Sequence, residues 1–420
     1  MSARCGVRRK GEMTMQTLQI FKKIAWRIGA ALAGIMVFVG GAAGYYADAL
    51  PDHYYWEADK PFSIAAALPV TISGGETTVP VSQQAEVRLF GMIPVKTVAL
   101  TAVAPTEVFV GGEPFGIRML MAGVMVVSLG DVTTLSGDCC PAKDAGIAVG
   151  DVIQEIGGRQ VSCNADLQTA VSASDGQAVP VTFLRGGVRQ TVSVSPVFSS
   201  VHGCYQTGMW VRDSTAGIGT VTYYLPAENG TVRFAGLGHA VCDPDTGEQI
   251  PLASGDVLHA DVTDVLAGCA GRPGELRGRF DTDSAIGTLL SNSASGVFGV
   301  LSALPHPDRD PIPLGYQQDI RLGEAEMYTT VLGDAPAAYT IEIEEIHGGA
   351  SGTRNLVVHV TDETLLEKSG GIVQGMSGSP IVQDGRLVGA VTHVFVKDPT
   401  RGYGILAENM YAQTASELCG

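Results

Sequence analysis

Nineteen consecutive residues without a charge, IGAALAGIMVFVGGAAGYY from Ile28 to Tyr46, divide this chain before any other pattern does. At about 1.5 Å of rise per residue a helix of that length reaches across the hydrocarbon core of a bilayer. Arg8, Arg9, Lys10, Lys22, Lys23 and Arg27 precede it, and a basic flank stays on the cytoplasmic side. Residues 1–27 therefore read as a cytoplasmic basic segment, residues 28–46 as a transmembrane signal anchor, and everything beyond as exported. The small residues at 40–44 and 47–49 make a cleavable signal peptide the competing reading.

The exported part is acidic. The first 27 residues hold seven Lys/Arg against one acid, so removing that +6 from the formal −16 leaves −22 for the remainder. A surface of that sign excludes nucleic acid as a partner. With 54 Gly, 21 Pro and only 17% charged residues, a 420-residue chain is globular, rich in turns and long enough for two or three domains. Seven of the eight cysteines are exported and none stands in a C-x-x-C pair, so neither zinc nor any other metal or cofactor is expected. Residues 47–103 contain strand-like stretches such as EVRLFGMIPVKTVAL and read as a linker or N-terminal β segment.

Residues 104–197 have their own punctuation. PFGIRM and GVMVVSLGDV supply short strands, DAGIAVGDVIQEIGGRQV follows, and in NADLQTAVSASDG the residues Leu167, Ala170 and Val171 share one helical face. VPVTFLRGG and VRQTVSVSP close the segment. The pattern Ala145-Gly146, Gly150-Asp151-Val152-Ile153 resembles that of a PDZ domain. Such domains take an extended peptide as an added strand and hold its carboxylate in a loop. The resemblance implies that Phe115, Gly116 and Ile117 form that loop and that Leu167 and Val171 line the groove's helix wall; the other reading of these two is plain core.

Near the C-terminus GGIVQGMSGSPIVQDGRLVGAVTHVF, from Gly370 to Phe395, reads as strand, glycine turn, strand, Asp384-Gly385 hairpin and returning strand. A serine on such a turn presents its hydroxyl at the lip of a sheet, and neighbouring glycines let backbone N–H groups point at a carbonyl oxygen. Ser377 is then the candidate nucleophile, with Gly375 and Ser377 as oxyanion donors. A tight turn built from good turn formers is the alternative.

A serine nucleophile needs a base and something that orients the base. Of the eight histidines, His239 stands apart by context, since Gly236 and Gly238 bracket it in FAGLGHAVCDPDTGE and leave it open to a cleft. Asp362 stands at the end of the strand Leu356 to Thr361, where it could orient the base or cap the helical turn ETLLEK. Asp243 and Asp245, just after His239, are the other candidates.

The ordered set GLGHA, VTDETLL and GGIVQGMSGSPIVQDGRLVGAVTHVFVKDPTRGYG, behind an anchor and a PDZ-like segment, resembles the SpoIVB serine peptidase family of endospore-forming bacteria. More loosely, the block around Ser377 resembles the nucleophile region of chymotrypsin-like peptidases. The resemblance implies a mainly β chain with one N-terminal transmembrane helix, a PDZ domain (α+β) and, over residues 198–420, a chymotrypsin-like double β-barrel peptidase. It implies His239 as general base, Asp362 as the residue that orients it, and Ser377 as nucleophile, with Asp243 as the other choice of acid. It implies further an endopeptidase that cuts itself free of the membrane, then cuts a membrane-bound regulator of an intramembrane protease in the forespore intermembrane space and so activates a late mother-cell sigma factor. Two other readings are an envelope quality-control protease, in which the PDZ domain usually follows the peptidase, and a non-catalytic PDZ tether.

Overall fold

The computed structural model describes residues 8–57, 64, 67–73, 82–227, 230–348 and 352–416. The chain divides into two compact units, residues 1–104 and 105–420.

In the first unit a helix runs over Arg8–Ala49, and its part Leu18–Ala49 is long and apolar enough to cross a membrane. The helix starts well before the uncharged run because Lys, Arg, Gln and Met, which fill its early turns, are good helix formers. Its end is capped from a distance. Lys96 Nζ donates to the carbonyls of Ala47 (3.1 Å) and Leu50 (2.6 Å) and pairs with Asp52 at 2.7 Å, which satisfies carbonyls that a helix end leaves without partners. Tyr46 and Leu50 are buried with Tyr54, Val87, Leu89 and Val98 in one small core. The stretch EVRLFGMIPVKTVAL forms most of an antiparallel hairpin, Ser82–Leu89 with Ile93–Val103, turning at Phe90 and Gly91, both at positive φ. His53–Glu57 adds in parallel to one side and Val70–Ser73 to the other.

The second unit is built on two rings of strands. Six strands close the first: Pro114–Leu129, Leu252–Leu266, Glu275–Ser293, Gly296–Leu301, Val232–Gly236 and Met209–Pro226, the last pairing back onto the first. Gly323–Thr329, Ala337–Ile346, Leu356–Val360, Asp398–Leu406, Arg386–Phe395 and Pro380–Gln383 close the second. Alternation drives the closure. In Ala337–Ile346, Tyr339, Ile341 and Ile343 are buried while Thr340 and Glu342 face water. Met327, Ile341, Leu356, Val358, Ile381 and Val391 fill the second barrel; Phe115, Met119, Phe234, Val257 and Val297 fill the first, with the Phe115 and Phe234 rings edge to face at 5.5 Å. The mainly β architecture, with one N-terminal apolar helix and closed barrels in the second unit, is as expected.

The strand Pro114–Leu129 serves two layers. Its first half belongs to the first barrel, and its second half pairs with Val152–Ile156, which continues to Val179–Arg185 and Val188–Val194. The helix Asn164–Ser172 covers this sheet over a separate core that includes Val124, Ile153 and Phe183. The Gly150-Asp151 motif has a local task here. Asp151 is buried, takes a bidentate ion pair from Arg185 (2.7 and 2.6 Å) and accepts from Ala148 N–H, so its desolvation is offset by fixed donors.

Two expectations change at this point. Phe115, Gly116 and Ile117 form no loop; they lie near the start of the strand Pro114–Leu129, paired with Leu252–Leu266 on one edge and Met209–Pro226 on the other, so their backbone groups are taken up by neighbouring strands. Gly116 has its backbone against the Phe280 side chain, where a Cβ would come within 2.8 Å. Leu167 and Val171 are core residues of the PDZ sheet, 8% and 5% exposed, and their helix face is spent on packing.

Candidate active site

The turn that carries Ser377 is held from beneath. Thr220 Oγ1 donates to the Gly375 carbonyl (2.8 Å), Thr220 N–H to the Ser377 carbonyl (3.1 Å) and Thr222 Oγ1 to the Gly378 carbonyl (2.7 Å), all from the strand Met209–Pro226 of the first barrel. Both threonines are buried. Gly378 sits at φ +96°, and a Cβ there would lie 2.1 Å from the Thr220 carbonyl oxygen, so only glycine allows this contact.

Two further bonds set the direction of the Gly375 and Ser377 N–H groups. In a trans peptide the C=O and the next N–H point opposite ways. The Gln374 carbonyl accepts from Leu276 N–H (2.8 Å) and the Met376 carbonyl from Ser379 N–H (2.9 Å), both toward the protein. The N–H groups of Gly375 and Ser377 therefore face outward, and both residues line an open cleft of about 1250 Å³. That is the arrangement an oxyanion needs.

His239 reaches the same cleft from the first barrel. It follows Leu237 and Gly238, which turn at φ +66° and +68°. Gly238 packs on Thr392 and Ile405 of the second barrel, where a Cβ would come within 2.9 Å of each, and its lack of a side chain lets the two barrels meet here. Behind the histidine, Asn292 clamps Val241 by both backbone groups, Oδ1 accepting from the N–H at 2.8 Å and Nδ2 donating to the carbonyl at 2.9 Å. His239 Nδ1 lies 2.8 Å from the Ala240 carbonyl. A carbonyl only accepts, so Nδ1 carries the proton and the Nε2 lone pair is left for chemistry.

Burial lowers the pKa of His239, opposed only by the Ala240 hydrogen bond. His393 stands beside it, ring centroids 4.9 Å apart, with its Nδ1 buried and unbonded among the described residues. Its pKa falls to about 4, first through burial and then through the nearby His239 and Arg354. Both rings are thus neutral at pH 7. The Ser377 hydroxyl donates to the Thr392 carbonyl at 2.8 Å, so its proton rests on the backbone of the strand that carries His393.

The structure brings His239, Ser377 and Gly375 to one cleft; the two aspartates are elsewhere. Asp362 caps the helix Glu363–Ser369, accepting from Leu365 N–H (3.0 Å) and from Thr340 N–H (3.4 Å), and it does not line the cleft. Asp243 is fully buried against Arg212 and accepts from the N–H groups of Asp245 and Thr246, which fixes the polar turn after His239. Neither carboxylate is bonded to His239, whose Nδ1 partner is the Ala240 carbonyl. Sequence reasoning missed Thr220, Thr222, Asn292 and His393. The first three look like ordinary strand residues and act only through contacts more than 40 positions away, while His393 sits inside the returning strand Arg386–Phe395, where no local signal sets it apart.

Residues 203–411 match the family model of the SpoIVB peptidase S55, and residues 115–195 match that of a PDZ domain. No curated protein matches the chain. Among solved structures, the crystal structure of the PDZ domain of the SdrC-like protein from Listeria monocytogenes is similar, at 22% identity over 21% of this chain and 87% of that one, with a TM-score of 0.18. With an S55 peptidase match spanning the ordered set of His239 and Ser377, the chain belongs to the SpoIVB peptidase family and is a serine peptidase that carries a PDZ domain.

Proposed function

We propose that this chain is a membrane-anchored sporulation endopeptidase in which Ser377 is the nucleophile and His239 the general base. One observation carries the reading: the free Nε2 lone pair of His239 and the Ser377 hydroxyl share a cleft into which the N–H groups of Gly375 and Ser377 point. An extended peptide enters the cleft with its scissile carbonyl over Ser377. The hydroxyl leaves the Thr392 carbonyl, His239 Nε2 takes its proton, and Oγ bonds to the carbonyl carbon. The tetrahedral oxyanion rests on the two N–H groups. His239 returns the proton to the leaving amine, and water repeats the sequence on the acyl-enzyme. The Ala240 carbonyl orients the imidazole, and Asp362 acts as a helix cap.

The cellular reading follows from the family and the anchor. The helix Leu18–Ala49 holds the peptidase at a membrane, on the forespore intermembrane side. The enzyme cuts its own chain for release and then a membrane-bound regulator of an intramembrane protease, which triggers processing of a late mother-cell sigma factor. The PDZ domain selects or restrains that substrate.

The test is labelling of the detergent-solubilised chain with a fluorophosphonate, followed on a gel for self-cleavage, beside Ser377→Ala and His239→Ala. Labelling and a discrete self-cleavage product in the wild type alone support the reading. Labelling with indiscriminate digestion of unfolded protein points to quality control instead, and an unlabelled wild type removes the enzyme assignment.

A further inference from the structure

Among the described residues, the cleft that holds Ser377 is lined by no aspartate and no glutamate, in a chain that carries 43 acids against 27 bases. Two lining residues other than the paired imidazoles of the site can carry positive charge. His347 is tied to Glu345, Nε2 to carboxylate oxygen at 2.9 Å. Arg354 has no ion pair among the described residues.

The guanidinium of Arg354 is also held in place. It lies over the Tyr403 ring at 5.1 Å, and that ring packs on Phe395 at 4.7 Å. A stacked guanidinium keeps its N–H edge free for a planar, bidentate acceptor while its face is occupied. Arg354 lies near enough to His393 to oppose its protonation, which places the charge beside the catalytic pair. It follows Thr353, whose carbonyl takes the Thr392 hydroxyl at 2.7 Å, so its backbone is fixed to the strand next to Ser377.

We propose that Arg354 is a specificity-determining residue that selects peptides carrying an aspartate or glutamate close to the scissile bond. A carboxylate at that place meets a pre-oriented guanidinium and no competing acid; a lysine or arginine there meets a like charge. The proposal rests on the serine peptidase reading of the same cleft and is tested so that the two can fail separately.

The probes are tripeptidyl diphenyl phosphonates, alanine at two positions and glutamate, glutamine or lysine at the third, with the variable residue moved through all three positions. Labelling rates are measured on the full chain in detergent for the wild type, Arg354→Met and Arg354→Glu. The quantity read is the glutamate-to-glutamine ratio within each protein, which cancels any loss common to both probes. At one position the wild-type ratio is expected to be on the order of two to five, the range for an exposed charge pair. In Arg354→Met it falls to about one. In Arg354→Glu the order inverts and the lysine probe becomes the fastest, a reversal that a misfolded variant cannot produce. A wild-type ratio near one at every position, or no phosphonate labelling at all, overturns the proposal, as does a ratio that survives Arg354→Glu. Failure of the underlying reading has a different signature, absence of Ser377-dependent labelling by a plain alkyl fluorophosphonate.

Discussion

The imidazole rings of His239 and His393 lie 4.9 Å apart at 38°, one from each barrel, and burial lowers the pKa of both. Two imidazolium ions at that distance repel strongly. The neutral state of His393 therefore protects the single proton that His239 accepts during catalysis. The acidic limb of log(kcat/KM) against pH is expected to have its midpoint below the usual histidine value of 6.5, since the base stays unprotonated to lower pH. Replacement His393→Lys sets a permanent positive charge beside His239 and shifts that midpoint further down while slowing the reaction above it. A pH–rate profile of both proteins checks this. The same shifts bear on stability. The unfolded chain takes up protons on these histidines near 6.5 whereas the folded His393 resists until about 4, so stability declines as pH falls through that window.

Asp362 gives a discriminating mutant. As a helix cap, its replacement by alanine removes the acceptor for Leu365 N–H and costs about 1 kcal/mol of stability. As the acid of a triad, the same change would lower kcat by orders of magnitude. The expected outcome is a lower Tm with kcat within a few-fold of wild type, and Asp362→Asn, which still caps, restoring the Tm. A collapse of kcat in both variants would return Asp362 to the catalytic set.

The threonine beneath the nucleophile turn makes a third case. Thr220→Val keeps the shape but deletes the hydroxyl that holds the Gly375 carbonyl, leaving a half-buried acceptor without its partner at about 1 kcal/mol. That carbonyl belongs to the Gly375–Met376 peptide, which links the two peptides carrying the oxyanion N–H groups, so loosening it lets both donors shift. Steady-state kinetics should show kcat reduced by roughly ten- to a hundredfold with KM little changed, because the donor acts on the transition state.

The sequence made some of this legible and hid the rest for physical reasons. Apolar alternation, the Asp384-Gly385 turn and the glycines around Ser377 and His239 are local signals, and the turns and the strands Pro380–Gln383 and Arg386–Phe395 are where they were expected, whereas Ile372 and Val373 ahead of the glycine turn form no strand. What local pattern cannot show is which distant backbone group a polar side chain will meet. Asp362 satisfies a capping pattern and a triad order equally well in one dimension, and only the Leu365 and Thr340 hydrogen bonds separate the two. Phe115 to Ile117 failed for a related reason. The strand Pro114–Leu129 runs through two sheets, and only Gly123, at positive φ against Ile153, marks the crossing from barrel to PDZ domain, a signal that an interior strand glycine gives for many reasons.

Glu408 offers a test of the fold away from the cleft. It lies in the C-terminal helix Ala407–Ser416, 7% exposed, with Oε2 accepting from Gln317 N–H at 2.7 Å. Burial, with a smaller push from Asp319, raises its pKa to about 7 against the hydrogen bond that lowers it. A carboxyl whose folded pKa is raised binds more protons folded than unfolded between about 4.5 and 7. Its contribution is therefore full below 4.5, is lost as pH rises to about 7, and stays lost above. Glu408→Gln keeps an acceptor for Gln317 and removes the ionisation, so the variant should gain on the order of 1–3 kcal/mol relative to wild type at pH 8 and little or nothing at pH 4.5. Thermal unfolding of both proteins at the two pH values measures the difference. An equal gap at both would show that the glutamate is solvated in the folded chain and that the helix packs less tightly on Gln317 than its hydrogen bond implies.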